Sequence, residues 1–147
     1  MNEAVLDASV VLRWAFDDEA DRDGALAVSD RLADGTLHAI APPTFLPEVA
    51  GVLVRAIRAG RILPELAEAV MAALVKVAID EPEPHGFAAA AMRHALSQGL
   101  HVQDATYLET ARRGGAPLIS ADRAQLEAAG RMGLASMALN EVPTRDS

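Results

Sequence analysis

The sequence predicts an α/β protein, a three-layer α/β/α sandwich built on a short, mostly parallel central sheet. Short apolar runs of strand length alternate with helix-length segments, which argues for a parallel sheet covered on both faces. Two of those runs lead straight to an aspartate, at Asp7 and Asp122. The chain of 147 residues is 51% hydrophobic, enough for one domain with a real core. We therefore expect one domain over residues 1–140 and a frayed tail over 141–147.

Ala4 to Leu6 form the first apolar run, ending at Asp7, and Ala8 to Phe16 suit a helix. Asp21 to Ala33 read as a second helix, stopped by Gly35. Leu37 to Ala41 read as a strand whose exit is held extended by Pro42-Pro43, before a helix from about Thr44 to Ala59 that Gly60 closes. Pro64 suits the first turn of the next helix, which carries Leu66, Val70, Leu74 and Val77 at helical spacing. Residues Val77 to Asp80 fit either the end of that helix or a brief strand. After the break at Glu81-Pro82-Glu83-Pro84, Phe87 to Ser97 form an alanine-rich helix ended by Gly99. Asp104 to Arg113 follow as a helix stopped by Gly114-Gly115, and Pro117 to Ser120 as a strand. Asp122 then opens a helix through Ala129, and Leu134 to Leu139 supply a last apolar run.

The chain lacks cysteine, which removes disulfides, thiolate zinc sites and cysteine nucleophiles and agrees with a cytoplasmic location. The N-terminus has no signal-peptide pattern, and the most apolar stretch, Leu66 to Ile79, is too short to span a membrane and carries Glu68 and Lys76. A net charge of −8 opposes nucleic-acid binding, but Asp17, Asp18, Glu19, Asp21, Asp23, Asp30 and Asp34 concentrate much of the excess in one solvated stretch. Lys76 is the sole lysine. Arg55, Arg58 and Arg61 cluster near the end of one helix, where they are candidate contacts to RNA phosphates or simply solubilising charges.

In parallel sheets ligands gather at the carboxyl ends of the strands. Asp7 and Asp122 follow strands, Glu48 lies in the first turns of a helix after a strand, and Asp104 opens a helix after Gly99, so the four acids are able to converge. Capping competes with this reading for the three aspartates. Glu48 borders the apolar face made by Phe45, Val49 and Val52, which is less usual for a purely solvated glutamate, although a surface role remains open. Two carboxylates about 5 Å apart repel by roughly 3 kcal/mol at an effective dielectric near 20. A converged cluster therefore implies a cation, and all-oxygen ligands suit Mg²⁺ or Mn²⁺ better than zinc. His38, His85, His94 and His101 offer no paired metal spacing, and we assign them no chemistry.

Four segments carry a resemblance: Val5-Leu6-Asp7-Ala8-Ser9; Pro47-Glu48 in a helix ending in Arg55; Gln103-Asp104-Ala105-Thr106-Tyr107-Leu108-Glu109-Thr110-Ala111; and Leu118-Ile119-Ser120-Ala121-Asp122. In this order and spacing, over nearly the whole chain, the sequence resembles PIN-domain ribonucleases, specifically VapC-type toxins of bacterial toxin–antitoxin pairs. The resemblance implies a PIN-like fold and a Mg²⁺ or Mn²⁺ site ringed by Asp7, Glu48, Asp104 and Asp122. It also matches Ser9 and Ser120 to hydroxyl positions beside that site, where they would orient carboxylates or water; capping of the first helix is the other reading of Ser9. Tyr107 matches an aromatic position read first as packing. Arg123 stands where the family usually has a small or aliphatic residue and is left out of the core site.

The implied activity is metal-dependent endoribonuclease cleavage of RNA such as tRNA or rRNA, inhibiting translation and held in check by a VapB-like antitoxin. Two rivals stand beside it. An aspartate-nucleophile phosphatase also begins strand, aspartate, helix, but it needs a second aspartate where this chain has Ser9. A non-catalytic RNA- or protein-binding module would leave the four acids unused. The apolar residues Leu66, Val70, Met71, Leu74 and Val75 suggest either a homodimer surface or ordinary core.

Overall fold

The first strand, β1 (Glu3–Leu6), is buried on both faces, which explains its unbroken apolar run. A computed structural model describes residues 1–17 and 20–144; Asp18 and Glu19 of the acidic stretch and residues 145–147 of the expected tail lie outside the described residues. The elements follow the expected alternation: α1 (Ala8–Ala15), α2 (Arg22–Ala33), β2 (His38–Ile40), α3 (Phe45–Arg58), α4 (Pro64–Val75), β3 (Ile79–Asp80), α5 (Phe87–Gln98), α6 (Val102–Gly114), β4 (Leu118–Ser120), α7 (Arg123–Arg131), β5 (Ser136–Ala138) and a 3-10 turn (Leu139–Glu141). The open choice at residues 77–80 resolves as a two-residue strand.

All five strands pair in parallel in the order β3-β2-β1-β4-β5. Val5 faces Ile40 on one side and Leu118 on the other, and Leu6 faces Ile119. The chain builds outward from β1 through β2 and β3, then returns to β1's other edge with β4. The direction of winding thus reverses between β1 and β4, the switch point where α/β sheets place ligands.

Side-chain alternation divides the core between the two faces. Val5 and Leu118 join α1, α3, α4 and α6 in one cluster that includes Val49, Leu53, Val70, Leu74 and Leu108. Ala4, Leu6, Ala39 and Ile119 point the other way, against Ala25 and Val28 of α2 and against Leu139 and Val142. Within α4, Val70 and Leu74 are therefore core, while Leu66 and Val75 are exposed. The tail expected from residue 141 begins with a packed segment, since Glu141 completes the 3-10 turn and Val142 is buried.

Gly99 and Gly24 show two different demands of geometry on glycine. Gly99 ends α5 at φ +66°, a left-handed conformation that side chains disfavour. Gly24 sits inside α2, where a Cβ would lie 1.9 Å from the carbonyl oxygen of Leu139. α2 can approach the 3-10 turn this closely only because position 24 has no side chain.

One boundary differs in a way that bears on the site. α6 begins at Val102, not at Asp104, because the Ala105 N–H already closes a helical bond onto the His101 carbonyl. Asp104 consequently lies in the first turn, where the helix dipole favours a carboxylate, and it is not the cap.

Candidate active site

The carboxyl edge of the sheet at the β1/β4 switch gathers acids from four elements. Asp7 ends β1 and caps α1, accepting the Ser9 N–H at 3.1 Å. Asp122 follows β4 and caps α7, accepting the Gln125 N–H at 3.3 Å. Glu48 comes from the first turn of α3 and Asp104 from the first turn of α6. For Asp7 and Asp122, capping and membership of the cluster coexist, because each carboxylate has a second oxygen.

The carboxylates sense one another. Asp7, only 6% exposed, has its pKa raised, first by burial and further by the charge of Asp122, against the lowering effect of hydrogen bonds from Ser9 and Gln125. Glu48 is raised by burial and by the charges of Asp7 and Asp104, opposed by Tyr107 and Arg55. Asp104 is raised by burial and then by Asp122 and Asp7, opposed by His101. Each acid is thus coupled to at least two others.

Neutral donors hold the cluster together. The Ser120 hydroxyl lies 3.4 Å from Asp7 Oδ2 as a donor and accepts the Asp122 N–H at 2.9 Å. The Ser9 hydroxyl accepts the Ala121 N–H at 3.1 Å, which locks the turn after β4 onto α1; Asp7, rather than Ser9, is the helix cap. Tyr107, fully buried, donates its hydroxyl to Glu48 Oε2 at 2.6 Å, and its own pKa is pushed far upward by burial and by that carboxylate, so it stays a donor. Packing alone does not describe Tyr107. Gln125 was not singled out from sequence, yet its fully buried amide donates to Asp7 Oδ1 at 3.3 Å and to the Asp104 carbonyl at 3.1 Å. Its Oε1 has no hydrogen-bond partner among the described residues, and an unsatisfied buried acceptor costs about 1–3 kcal/mol.

The three candidate arginines separate. Arg55 lines a cavity of about 310 Å³ with Thr44, Glu48 and Gln103, beside the acids. Arg61 instead lies over the Phe16 ring, 4.0 Å from its centroid, at the far end of α1. Arg58 is exposed in the last turn of α3, away from Glu48. A larger cavity of about 670 Å³ touches this region at Ser120 and Ala121, but it opens toward Arg13, Arg123 and Asn140.

Among the described residues, no three acids or histidines are drawn close enough to grip one metal ion as they stand. The four acids form an open electrostatic cluster rather than a closed cage. Their donor chemistry nevertheless fits a hard divalent cation: all ligands are oxygen, and three of the four acids have raised pKa values from burial and mutual charge, which a cation would relieve.

A family model described as the PIN domain matches residues 4–131. No curated protein matches the chain. Among solved structures it is similar to PAE2754 from Pyrobaculum aerophilum, with 21% identity and a TM-score of 0.66 over 86% of this chain and 79% of that one. It is also similar to VapBC2 from Rickettsia felis, solved bound to a DNA fragment from its promoter, with 11% identity and a TM-score of 0.65 over 92% of this chain and 98% of that one. At these identities the structural likeness speaks for the fold alone.

Proposed function

We propose, from the premise that the chain belongs to the PIN domain family, that it is a metal-dependent endoribonuclease acting through Asp7, Glu48, Asp104 and Asp122. The observation that carries this reading is the convergence of four acids from four elements on the switch-point edge, each coupled electrostatically to at least two of the others. Such an arrangement works against stability unless a cation occupies it.

Asp7, Glu48, Asp104 and Asp122 are the residues that would hold Mg²⁺ or Mn²⁺. When bound, the metal supplies a water of lowered pKa and neutralises charge that develops on phosphate. The chain's own contribution is placement. Ser9 and Ser120 fix Asp7 and the turn before Asp122, and Tyr107 steadies Glu48. The Asp104 carboxylate accepts no hydrogen bond from the described residues, which leaves its oxygens for a ligand. Arg55, in the cavity beside Glu48, is the arginine that would contact an RNA phosphate.

The ribonuclease reading extends to a toxin of the VapBC type that cuts tRNA or rRNA and pairs with a VapB-like antitoxin; the resemblance of the four acidic segments supports this. An aspartate-nucleophile phosphatase fits poorly, since Ser9, in the place of its second acid, spends its hydroxyl on the Ala121 N–H. Incubation of purified protein with total RNA and Mg²⁺ or Mn²⁺, followed by mapping of new ends, tests the reading. Discrete internal cleavage that stops in excess EDTA is the expected result. Undiminished cleavage by metal-free protein removes the metal role, and intact RNA under all conditions removes the nuclease.

A further inference from the structure

One residue touches all three aspartates of the site. Gln125 donates its backbone N–H to Asp122 Oδ1 at 3.3 Å, and its side-chain amide to Asp7 Oδ1 at 3.3 Å and to the main-chain carbonyl of Asp104 at 3.1 Å. These groups come from the end of β1, the first turn of α6 and the start of α7. Glu48, the fourth acid, has its own donor in Tyr107.

The orientation of the amide is forced. Rotating it by 180° would set Oε1 against a carboxylate oxygen and a carbonyl oxygen, two acceptors with no hydrogen to share. Nε2 therefore faces them, and both of its hydrogens have acceptors. Among the described residues, Oε1 is left without a partner in a fully buried side chain. A residue kept for packing or solubility would not need a buried amide with one end unsatisfied; an apolar side chain of similar length would fill the space without that cost.

We propose that Gln125 is a positioning residue of the acid cluster, a neutral donor that, alongside Ser9 and Ser120, ties Asp7, Asp104 and Asp122 to one another. It acts on Asp7 by direct donation, on Asp104 by tethering the backbone that carries it, and on Asp122 by donating its backbone N–H to the capping carboxylate. A neutral donor suits this task. A cationic residue in the same place would neutralise the aspartates and compete with a metal ion, whereas an amide orders like charges and leaves their sum intact.

The inference rests on the metal-site reading above, and its test separates the two. Gln125→Met keeps the length and the apolar stem, preserves the backbone cap to Asp122 and removes the bridging donor. Gln125→Asn keeps an amide but is too short to reach both acceptors. Mn²⁺ alone is titrated calorimetrically into wild type and each variant, with thermal melting of the metal-free proteins as a fold control and RNA cleavage kinetics alongside. The expected result is that Mn²⁺ affinity falls by about tenfold or more in Gln125→Met, the effect typical of losing a group that orients a metal ligand. kcat should fall with it while KM for RNA changes little, because the residue is buried and meets no substrate. Gln125→Asn should bind Mn²⁺ more weakly than wild type as well, and it carries the test if Gln125→Met fails to fold. Folded variants that bind Mn²⁺ with wild-type affinity overturn the role of Gln125 and leave the metal site standing. Wild-type protein that neither binds Mn²⁺ nor cuts RNA overturns the site and the role of Gln125 together.

Discussion

Asp104 is the residue at which ligand and scaffold roles separate most cleanly. Asp7 and Asp122 each cap a helix as well as facing the cluster, so replacing either confounds two effects. Asp104, three residues inside α6, caps nothing. Asp104→Asn should cut RNA cleavage by more than the roughly 10–100-fold typical of residues one step removed from a metal. The metal-free variant should melt at or above the wild-type temperature, because one like charge has left the cluster. Cleavage assays paired with melting curves with and without Mg²⁺ check this, and a wild-type rate with an unchanged Mg²⁺-induced shift would remove Asp104 from the site. The aspartates could be picked out from sequence because each lies at a strand end or in a first helical turn, positions that local pattern reveals. Gln125 could not. Its importance depends on how α7 packs against the first turn of α6, and nothing in Arg123-Ala124-Gln125-Leu126 announces that contact. The boundary of α6 is hidden in the sequence for a related reason: Asp104 has the chemistry of a cap, while the true start at His101-Val102 carries no capping side chain.

Between elements, one buried carboxylate and one missing side chain carry contacts that local periodicity does not encode. Glu109 of α6, fully buried, accepts from Arg112 and Arg113 on its own helix and pairs with His94 of α5 at 2.6 Å. Arg113 extends the network to the carbonyls of Glu83 and His85, so the segment before α5 is tied down through the same acid. Burial pushes the Glu109 pKa up, but the hydrogen bonds from Arg112, Arg113 and His94 outweigh it and hold the group at about 2. A carboxyl whose folded pKa lies below its unfolded value contributes stability above the unfolded pKa and loses it as pH falls toward the folded one. Glu109→Gln should therefore cost about 2–3 kcal/mol at pH 7, and its deficit relative to wild type should shrink as pH drops from about 4.5 toward 2. Urea denaturation at a series of pH values reads this directly; a deficit that stays constant across that window would show that the charge is not what matters. Gly24 makes the opposite kind of contact. Alanine is the better helix former and would ordinarily stabilise α2, yet its methyl would collide with the Leu139 carbonyl. Gly24→Ala should lower stability by about 1–3 kcal/mol, measured by thermal or urea unfolding. Helix and strand identities were readable from period and punctuation, but a glycine inside a helix looks like a weak spot until the backbone beside it is known.

At the scale of the whole chain, the alternation of short apolar runs with helices was enough to specify a parallel, two-faced sheet, whereas the strand order β3-β2-β1-β4-β5 depended on pairings between residues far apart in sequence. The family match ends at residue 131, yet the fold does not. β5 pairs along β4, and Leu139 and Val142 seal the face of the sheet that α2 covers. A chain cut after Arg131 would leave β4 as an open edge and uncover Leu6, Val28 and Ile119. It should be recovered mostly as aggregate, and a cooperative melt at the full-length temperature would show the last segment to be dispensable. The same topology imposes an order in time during synthesis. Asp7 emerges first but β4 and Asp122, its neighbours at the switch point, emerge more than a hundred residues later, and the strand and turn that cover β4 follow later still. No nascent chain short of residues 136–142 has a finished sheet beneath its acids. A ribosome translating this message therefore carries an incompletely supported acid cluster until residues 136–142 have been made, an interval set by nothing more than the order of the strands.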